Sequence, residues 1–199
     1  TNFTSFFRES HHFDFIQNTA IPEWKSNSNR KKLRIWSAGS STGEEAYSIA
    51  MTLNDQIPYA WDTKILATDL DTNVVAQGES GIYSRDRVGN LSSTLVSQYF
   101  DKIVSGQKEC VQVKKPLRNM TFFKPLNLLQ GWPMSGQFEM IFCRNVVIYF
   151  DKPTQKVLFD RFADLLAPGG YLIIGHSESM YKLSDRFTSI GNTIYRKIK

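Results

Sequence analysis

The chain has 199 residues, 41% apolar and 13% aromatic, and a formal net charge of +5. That length suits one domain with a small insertion, and the apolar share excludes a disordered chain. No apolar run approaches the roughly 20 residues of a bilayer-spanning helix, and the polar, aromatic start is no secretory leader, so direct membrane insertion is not expected.

Residues 1–17 carry Phe3, Phe6, Phe7, Phe13, Phe15 and Ile16 at helical spacing, with Asn2 or Thr4 as the cap. Residues 18–32 are polar, contain Pro22 and read as a connection. They end in the densest basic cluster, Arg30-Lys31-Lys32, which is either a solvated linker or an attraction for an acidic partner. A strand over 33–37 and a helix over 43–54 follow, then a strand over 64–69 that ends in an acid and a helix over 71–79. Residues 138–143 form a buried strand, 152–166 an amphipathic helix closed by Pro168-Gly169-Gly170, 171–175 another buried strand, and 187–198 a hairpin around Gly191-Asn192. Alternation of this kind predicts an α/β fold, Rossmann-like, with a mostly parallel sheet and helices on both faces. Residues 98–123 break the rhythm, because Cys110-Val111-Gln112-Val113 alternates and Gly106 precedes it. They read as two or three antiparallel strands inserted into the pattern, either a cover for one side of the sheet or an exposed edge able to accept a peptide.

The chemistry concentrates where the first strand enters the next helix, at Ser37-Ala38-Gly39-Ser40-Ser41-Thr42-Gly43-Glu44-Glu45. Gly39 and Gly43 allow a sharp turn and close approach of a flat ligand. A helix N-terminus ordinarily welcomes phosphate, and two carboxylates in its first turn should repel one. The loop therefore suits a nucleoside ligand without phosphate, such as S-adenosylmethionine. Asp69 ends the second strand about 26 residues after Gly43, where a carboxylate accepts ribose hydroxyls in Rossmann-like sites; its plainer role is a helix cap, which Asp71 can fill as well. A nicotinamide dinucleotide would need G-x-G-x-x-G, and this loop has neither the spacing nor the charge for it. Cys110 and Cys143 are too few for a disulfide framework and fit a reducing, cytoplasmic setting. Cys143 reads as a small core residue, and His11, His12 and His176 have no metal-ligand spacing; no metal is expected, and His176 reads as structural.

Several blocks together resemble the chemotaxis receptor methyltransferases, the CheR family of protein-glutamate O-methyltransferases. They are Thr4-Ser5-Phe6-Phe7-Arg8-Glu9, Ser40-Ser41-Thr42-Gly43-Glu44-Glu45-Ala46-Tyr47-Ser48, Ala67-Thr68-Asp69-Leu70-Asp71, Cys143-Arg144-Asn145-Val146-Val147-Ile148-Tyr149-Phe150 and Gly175-His176-Ser177-Glu178-Ser179. Each is weak alone; their order and spacing along nearly the whole chain are specific.

The resemblance implies an S-adenosylmethionine-dependent methyltransferase that esterifies glutamate carboxylates of chemotaxis receptors and leaves S-adenosylhomocysteine. It implies that Asn2, Thr4 and Arg8 fold over the cofactor, that Ala38, Gly39 and Glu45 meet its amino-acid end, that Asp69 takes the ribose and that Asn127 and Leu128 take the adenine. Arg144, Asn145 and Tyr149 would line the place where the methyl group leaves, with Arg8, Arg144 and Tyr149 as catalytic candidates. Read without the resemblance, Arg144 is an ordinary ion-pair partner at a strand end and Tyr149 a core tyrosine. The implied partners are the receptors' cytoplasmic helices and, at the β-insertion, a receptor C-terminal tail peptide; a monomer is the expected state. The whole chain, 1–199, would be the methyltransferase domain. The family's basic helical N-terminal domain is missing from it, and the start at Thr1 suits a fragment or a processed product. Two other readings stand beside this one. A nucleic-acid methyltransferase fits the positive charge, but an acidic residue or Asn followed by Pro-Pro and an aromatic is replaced here by Asn145-Val146-Val147-Ile148-Tyr149, and Cys143 follows Phe142 where carbon methylation favours Pro-Cys; no nucleic-acid partner is expected. A non-catalytic receptor-binding adaptor is the other.

Overall fold

A computed structural model describes residues 3–199; Asn2 lies outside the described residues. The first segment is bent rather than helical. Phe7 and Glu9 adopt left-handed backbone, with φ of 54° and 56°, and the helix starts only at α1 (His11–Phe15). It widens through a π turn, Ile16–Ala20, and finishes as α2 (Ile21–Ser26). The expected helix over 1–17 and connection from 18 are both displaced. Aromatic spacing misleads here because Phe6 serves a different partner. It is buried edge-on against Tyr83 and Phe100, with ring centroids 5.1 and 5.4 Å away. Burying such a ring stabilises by about 1.5–3 kcal/mol, which with the Phe7–Phe13 edge contact offsets two left-handed residues at about 1–2 kcal/mol each. Pro22 is tolerated because it begins α2 directly after the wide turn, where its missing N–H and its ring are accommodated.

The remaining elements are β1 (Lys32–Ala38), α3 (Glu44–Leu53), β2 (Asp62–Asp69), α4 (Thr72–Ser80), β3 (Ile82–Ser84), a 3-10 turn at Arg85–Val88, α5 (Ser93–Tyr99), β4 (Phe100–Ser105), β5 (Lys108–Val113), α6 (Lys115–Met120) and β6 (Thr121–Pro125). Then come β7 (Phe138–Cys143), a 3-10 turn at Val147–Tyr149, α7 (Lys152–Leu165), β8 (Leu166–Ile174), β9 (Phe187–Gly191) and β10 (Ile194–Lys197). Seven strands form one sheet in the order β6-β2-β1-β7-β8-β10-β9. The first five run parallel, and the terminal hairpin adds β10 and β9 antiparallel. The two-residue period of β1 divides the core: Leu33 and Ile35 pack on one face, Trp36 and Ala38 on the other. The Trp36 indole N–H donates to Thr68 Oγ1 at 2.9 Å, so even this fully buried polar atom is satisfied.

A second sheet has the order β3-β5-β4. The antiparallel stretch expected over 98–123 is thus drawn differently at both ends. Ile82–Ser84 joins it from upstream, and Thr121–Pro125 leaves it to pair parallel with β2. Phe123 accounts for the second change. It is buried beside Tyr47, centroids 5.5 Å apart, and a Cβ on Gly78 would lie 2.3 Å from its ring; only a main-sheet strand delivers it there. The β8 ladder also begins earlier than expected, at Leu166, because an irregularity between Phe138 and Met140 absorbs Pro168, which has no N–H to offer a regular ladder.

Candidate active site

The carboxyl ends of β1, β2, β6, β7 and β8 surround a cavity of about 610 Å³, the crevice where open α/β sheets bind their ligands. The glycine loop forms its floor. Gly39 has φ of 80°, and a Cβ on it would come within 2.4 Å of Val146 Cγ2, so only glycine lets this loop lie against the one after β7. Four of the loop's amides are spent internally. Gly39 and Ser40 N–H both donate to Thr68 O at 2.8 Å, Ser41 N–H to Asp69 Oδ2 at 2.8 Å, and Gly43 N–H to Ser40 O at 3.0 Å.

The two carboxylates of the first helical turn, expected to repel a phosphate, are not bare, because each has an arginine. Glu44 is fully buried outside the cavity lining, pairs with Arg87 from the small-sheet segment and accepts from Thr42 Oγ1 at 2.6 Å. Glu45 pairs with Arg144. The Gly39, Ser40, Ser41 and Gly43 amides are already bonded, so ahead of the first turn of α3 the loop offers a phosphate few donors.

Asp69 lines the cavity and holds the loop, accepting from Ser41 N–H through Oδ2 and from Asp71 N–H through Oδ1 at 3.1 Å. It is not the helix cap; Asp71 caps α4, its Oδ1 accepting from Asn73 N–H at 2.8 Å. Each Asp69 oxygen retains lone-pair capacity for a further donor. Asn127 and Leu128 line the cavity from the loop after β6, which Leu126 N–H ties to Asp69 O at 2.9 Å. Asn127 Oδ1 accepts from Leu129 N–H at 2.9 Å, which fixes its side chain.

Glu45 and Arg144 form a buried polar network at the other end. Arg144 Nε donates to Glu45 Oε2 at 2.7 Å, and Ser37 Oγ to Glu45 Oε1 at 2.7 Å. Arg144 Nη1 donates to Arg8 O at 2.5 Å and to His12 Nδ1 at 3.1 Å, and the guanidinium lies over the Phe13 and Phe142 rings. Arginine only donates, so His12 Nδ1 is the acceptor and its Nε2–H donates to Asn192 O at 3.0 Å. Burial, and then the Arg144 charge, hold the His12 imidazole down to about 4. Its folded value lies below the ordinary 6.5, so its contribution is complete above pH 6.5 and is lost as pH falls from there towards 4. Between pH 7.5 and pH 5 the loss is about 2 kcal/mol. Urea unfolding at the two pH values measures it, and a His12→Gln variant shows a smaller difference.

At the mouth lie Thr4, Arg8, Asn145 and Tyr149. Arg8 Nη1 donates to Phe3 O at 2.7 Å. Tyr149 is 70% exposed on its 3-10 turn and is no core tyrosine. Of the site residues expected from the sequence, the cavity therefore gathers all but two: Asn2 lies outside the described residues, and Ala38 is buried in the core beneath the loop.

Other lining residues escaped the sequence reading. Ser40 and Ser41 line the cavity, and their buried hydroxyls have no partner among the described residues. His176, read as structural, lines the cavity with its Nδ1 3.2 Å from Glu9 Oε1, while its N–H donates to Glu9 Oε2 at 3.1 Å. The ligand atoms of Glu9, His11 and His12 lie within 4.8 Å of one another, although their spacing suggests no metal site. An ion there would have to displace Arg144 or Asn192 from His12. Cys143 is fully buried, and burial pushes its thiol well up, which suits packing and not nucleophilic attack.

These residues fit a nucleoside joined to an amino acid. Asp69 offers acceptors for a diol, Leu126 and Leu128 offer apolar walls for a flat base, and the Glu45–Arg144 pair offers both charges to an ammonium and a carboxylate. Ser40 and Ser41 supply hydroxyls that a polar ligand would satisfy.

A parallel sheet with this strand order and terminal hairpin, above a glycine loop whose Gly39, Ser40, Ser41 and Gly43 amides are already bonded, defines an S-adenosylmethionine-dependent methyltransferase fold. The family model described as "CheR methyltransferase, SAM binding domain" matches residues 2–196, and the chain belongs to that family. It is 42% identical over 200 residues to the probable chemotaxis protein methyltransferase of Rhizobium etli, covering 98% of this chain and 75% of that one. It is 43% identical over 199 residues to the chemotaxis protein methyltransferase of Escherichia coli K12, covering 98% of this chain and 67% of that one. The crystal structure of the DszA carbon methyltransferase shares the fold at a TM-score of 0.51 and 16% identity, over 83% of this chain and 35% of that one. Among the described residues, no helix is long and apolar enough to cross a membrane.

Proposed function

We propose that this chain transfers a methyl group from S-adenosylmethionine to glutamate side-chain carboxylates of chemotaxis receptors, giving methyl esters and S-adenosylhomocysteine. The observation that carries the reading is the convergence of Thr4, Arg8, Glu45, Asp69, Arg144 and Tyr149, from four separate parts of the sequence, on one cavity. Membership of the CheR family and the names of the two bacterial relatives support the acceptor.

When bound, S-adenosylmethionine supplies a methyl group on a positively charged sulfur. The rest falls to the chain. A glutamate carboxylate, with an ordinary pKa near 4.3, arrives already ionised, so the site needs no general base. Arg8 at the mouth orients that carboxylate through its planar fork, and Tyr149 donates a hydrogen bond beside it without giving up its proton. Asp69 holds the ribose, Asn127 and Leu128 the adenine, and Glu45 and Arg144 the amino-acid end. Attack of an anion on a cation disperses charge, so water slows it; the apolar cavity walls keep water out, and alignment is worth up to about 7–11 kcal/mol in favourable cases.

In this reading the receptor also engages the small sheet. Among the described residues β4 pairs only with β5, and its Val104 is 74% exposed, so its free edge can take a receptor tail peptide as an added strand. The test is to incubate the chain with a receptor cytoplasmic fragment and methyl-labelled S-adenosylmethionine. Label on the receptor, released by mild base as methanol, supports the ester. Base-stable label on added nucleic acid supports a nucleic-acid methyltransferase instead, and binding without transfer supports an adaptor.

A further inference from the structure

Glu178 is 5% exposed and sits on the turn after β8. No cation pairs with it among the described residues. Its carboxylate accepts four backbone N–H groups: Gly175 at 2.6 Å and Asn145 at 2.9 Å on Oε2, Val146 at 2.9 Å and Ile148 at 3.3 Å on Oε1. Three of those donors belong to the loop after β7, the loop that also carries Arg144 and Tyr149, and all three of their residues line the cavity. The fourth belongs to the end of β8. Glu178 thus fills with a protein carboxylate the kind of amide nest that elsewhere holds an external anion.

The far end of the loop is held by Gln155 Nε2, which donates to Val147 O and Phe150 O at 2.9 Å, and its near end by Arg144; the amides between them depend on Glu178. Asn145 has left-handed backbone with φ of 59°, and the stretch from 144 to 150 contains only the single 3-10 turn at Val147–Tyr149. Space is tight on both sides. A Cβ on Gly175 would lie 2.7 Å from Asn145 Nδ2, and one on Gly39 would meet Val146. A shift of this loop moves Val146 against the glycine loop and Arg144 against Glu45 together.

We infer that Glu178 is a positioning residue of the methyltransferase site: by accepting the amides of Asn145, Val146, Ile148 and Gly175 it fixes the loop that sets Arg144, Asn145 and Tyr149 around the cofactor cavity. This rests on the proposed cofactor. A glutamine at 178 turns one of its two ends into an N–H₂ group facing two N–H donors, so one pair of bonds is lost whichever way the amide lies. An aspartate keeps both acceptors but is one methylene shorter.

The test is calorimetry with S-adenosylhomocysteine on wild type, Glu178→Gln and Glu178→Asp, at a temperature where circular dichroism shows each to be folded. Affinity is expected to fall at least tenfold in Glu178→Gln and by less in Glu178→Asp. A purely structural residue would lower the melting temperature and leave the affinity of the folded protein unchanged, and that result overturns the inference. Should Glu178→Gln not fold, amide hydrogen exchange on the ligand-free wild type decides. The amides of residues 145, 146, 148 and 175 are expected to exchange slowly; exchange as fast as in exposed loops overturns the clamp. If the wild type itself binds no S-adenosylhomocysteine, the proposed function fails, and the exchange measurement still tests the clamp separately.

Discussion

Replacing Asp69 with alanine is expected to weaken S-adenosylhomocysteine binding about 100-fold, which is about 2.8 kcal/mol. Hydrogen bonds to a charged acceptor are worth about 1.5–3 kcal/mol each, and the proposed ribose contact supplies up to two. The same carboxylate also accepts Ser41 and Asp71 N–H, so its removal unties the floor of the cavity from β2. Asp69→Asn should lose less, since one oxygen remains for Ser41. Calorimetric titration checks both variants, and an unchanged affinity in the alanine variant removes Asp69 from the ribose role.

The largest expected effect on stability comes from Arg144. Its guanidinium and the Glu45 carboxylate lie 2.7 Å apart, with side chains 3% and 9% exposed. Cutting Arg144 back to methionine leaves Glu45 charged, buried and without its cation. Loss of one partner of such a pair costs about 3–5 kcal/mol, a large part of the roughly 5–15 kcal/mol that holds a domain together. Combining Arg144→Met with Glu45→Gln should recover part of the loss, since no lone charge is left behind. Urea unfolding of both single variants and the double variant measures the coupling. Additive losses would mean that the two side chains do not depend on each other.

Sequence pattern located most of the parallel sheet, because buried strands such as Phe138–Cys143 are short apolar runs, broken here only by Glu139, between turn signals. It failed where one side chain answers to a distant partner. Phe6 looks like one rung of an amphipathic helix but docks on Tyr83 and Phe100, and Phe123 alternates like an insertion strand yet packs beside Tyr47 in the main sheet. The site was legible through its motif blocks: Asp69, Glu45 and Arg144 stand at strand ends or helix starts, where position along the chain implies position in space. The roles hidden from sequence belong to residues that act through backbone groups or through tertiary pairing. Glu178 receives four amides that no spacing rule connects to it. Glu44 reads from the sequence as one of two carboxylates in a helix's first turn, and nothing in the spacing connects it to Arg87, its partner in the fold.

The glycine loop's spent amides bear on what else enters the cavity. ATP and its relatives share the adenosine half of S-adenosylmethionine, and a site that recognised adenosine alone would be blocked wherever adenine nucleotides are abundant. A P-loop welcomes them by presenting unsatisfied N–H groups. Here Thr68 O, Asp69 and Ser40 O have claimed four of those groups beforehand, so a triphosphate that left water for this loop would recover less of its hydration than at a P-loop. To that extent discrimination against nucleotides rests on donors already used, and an effect of that kind, unlike repulsion between charges, does not fade as salt rises.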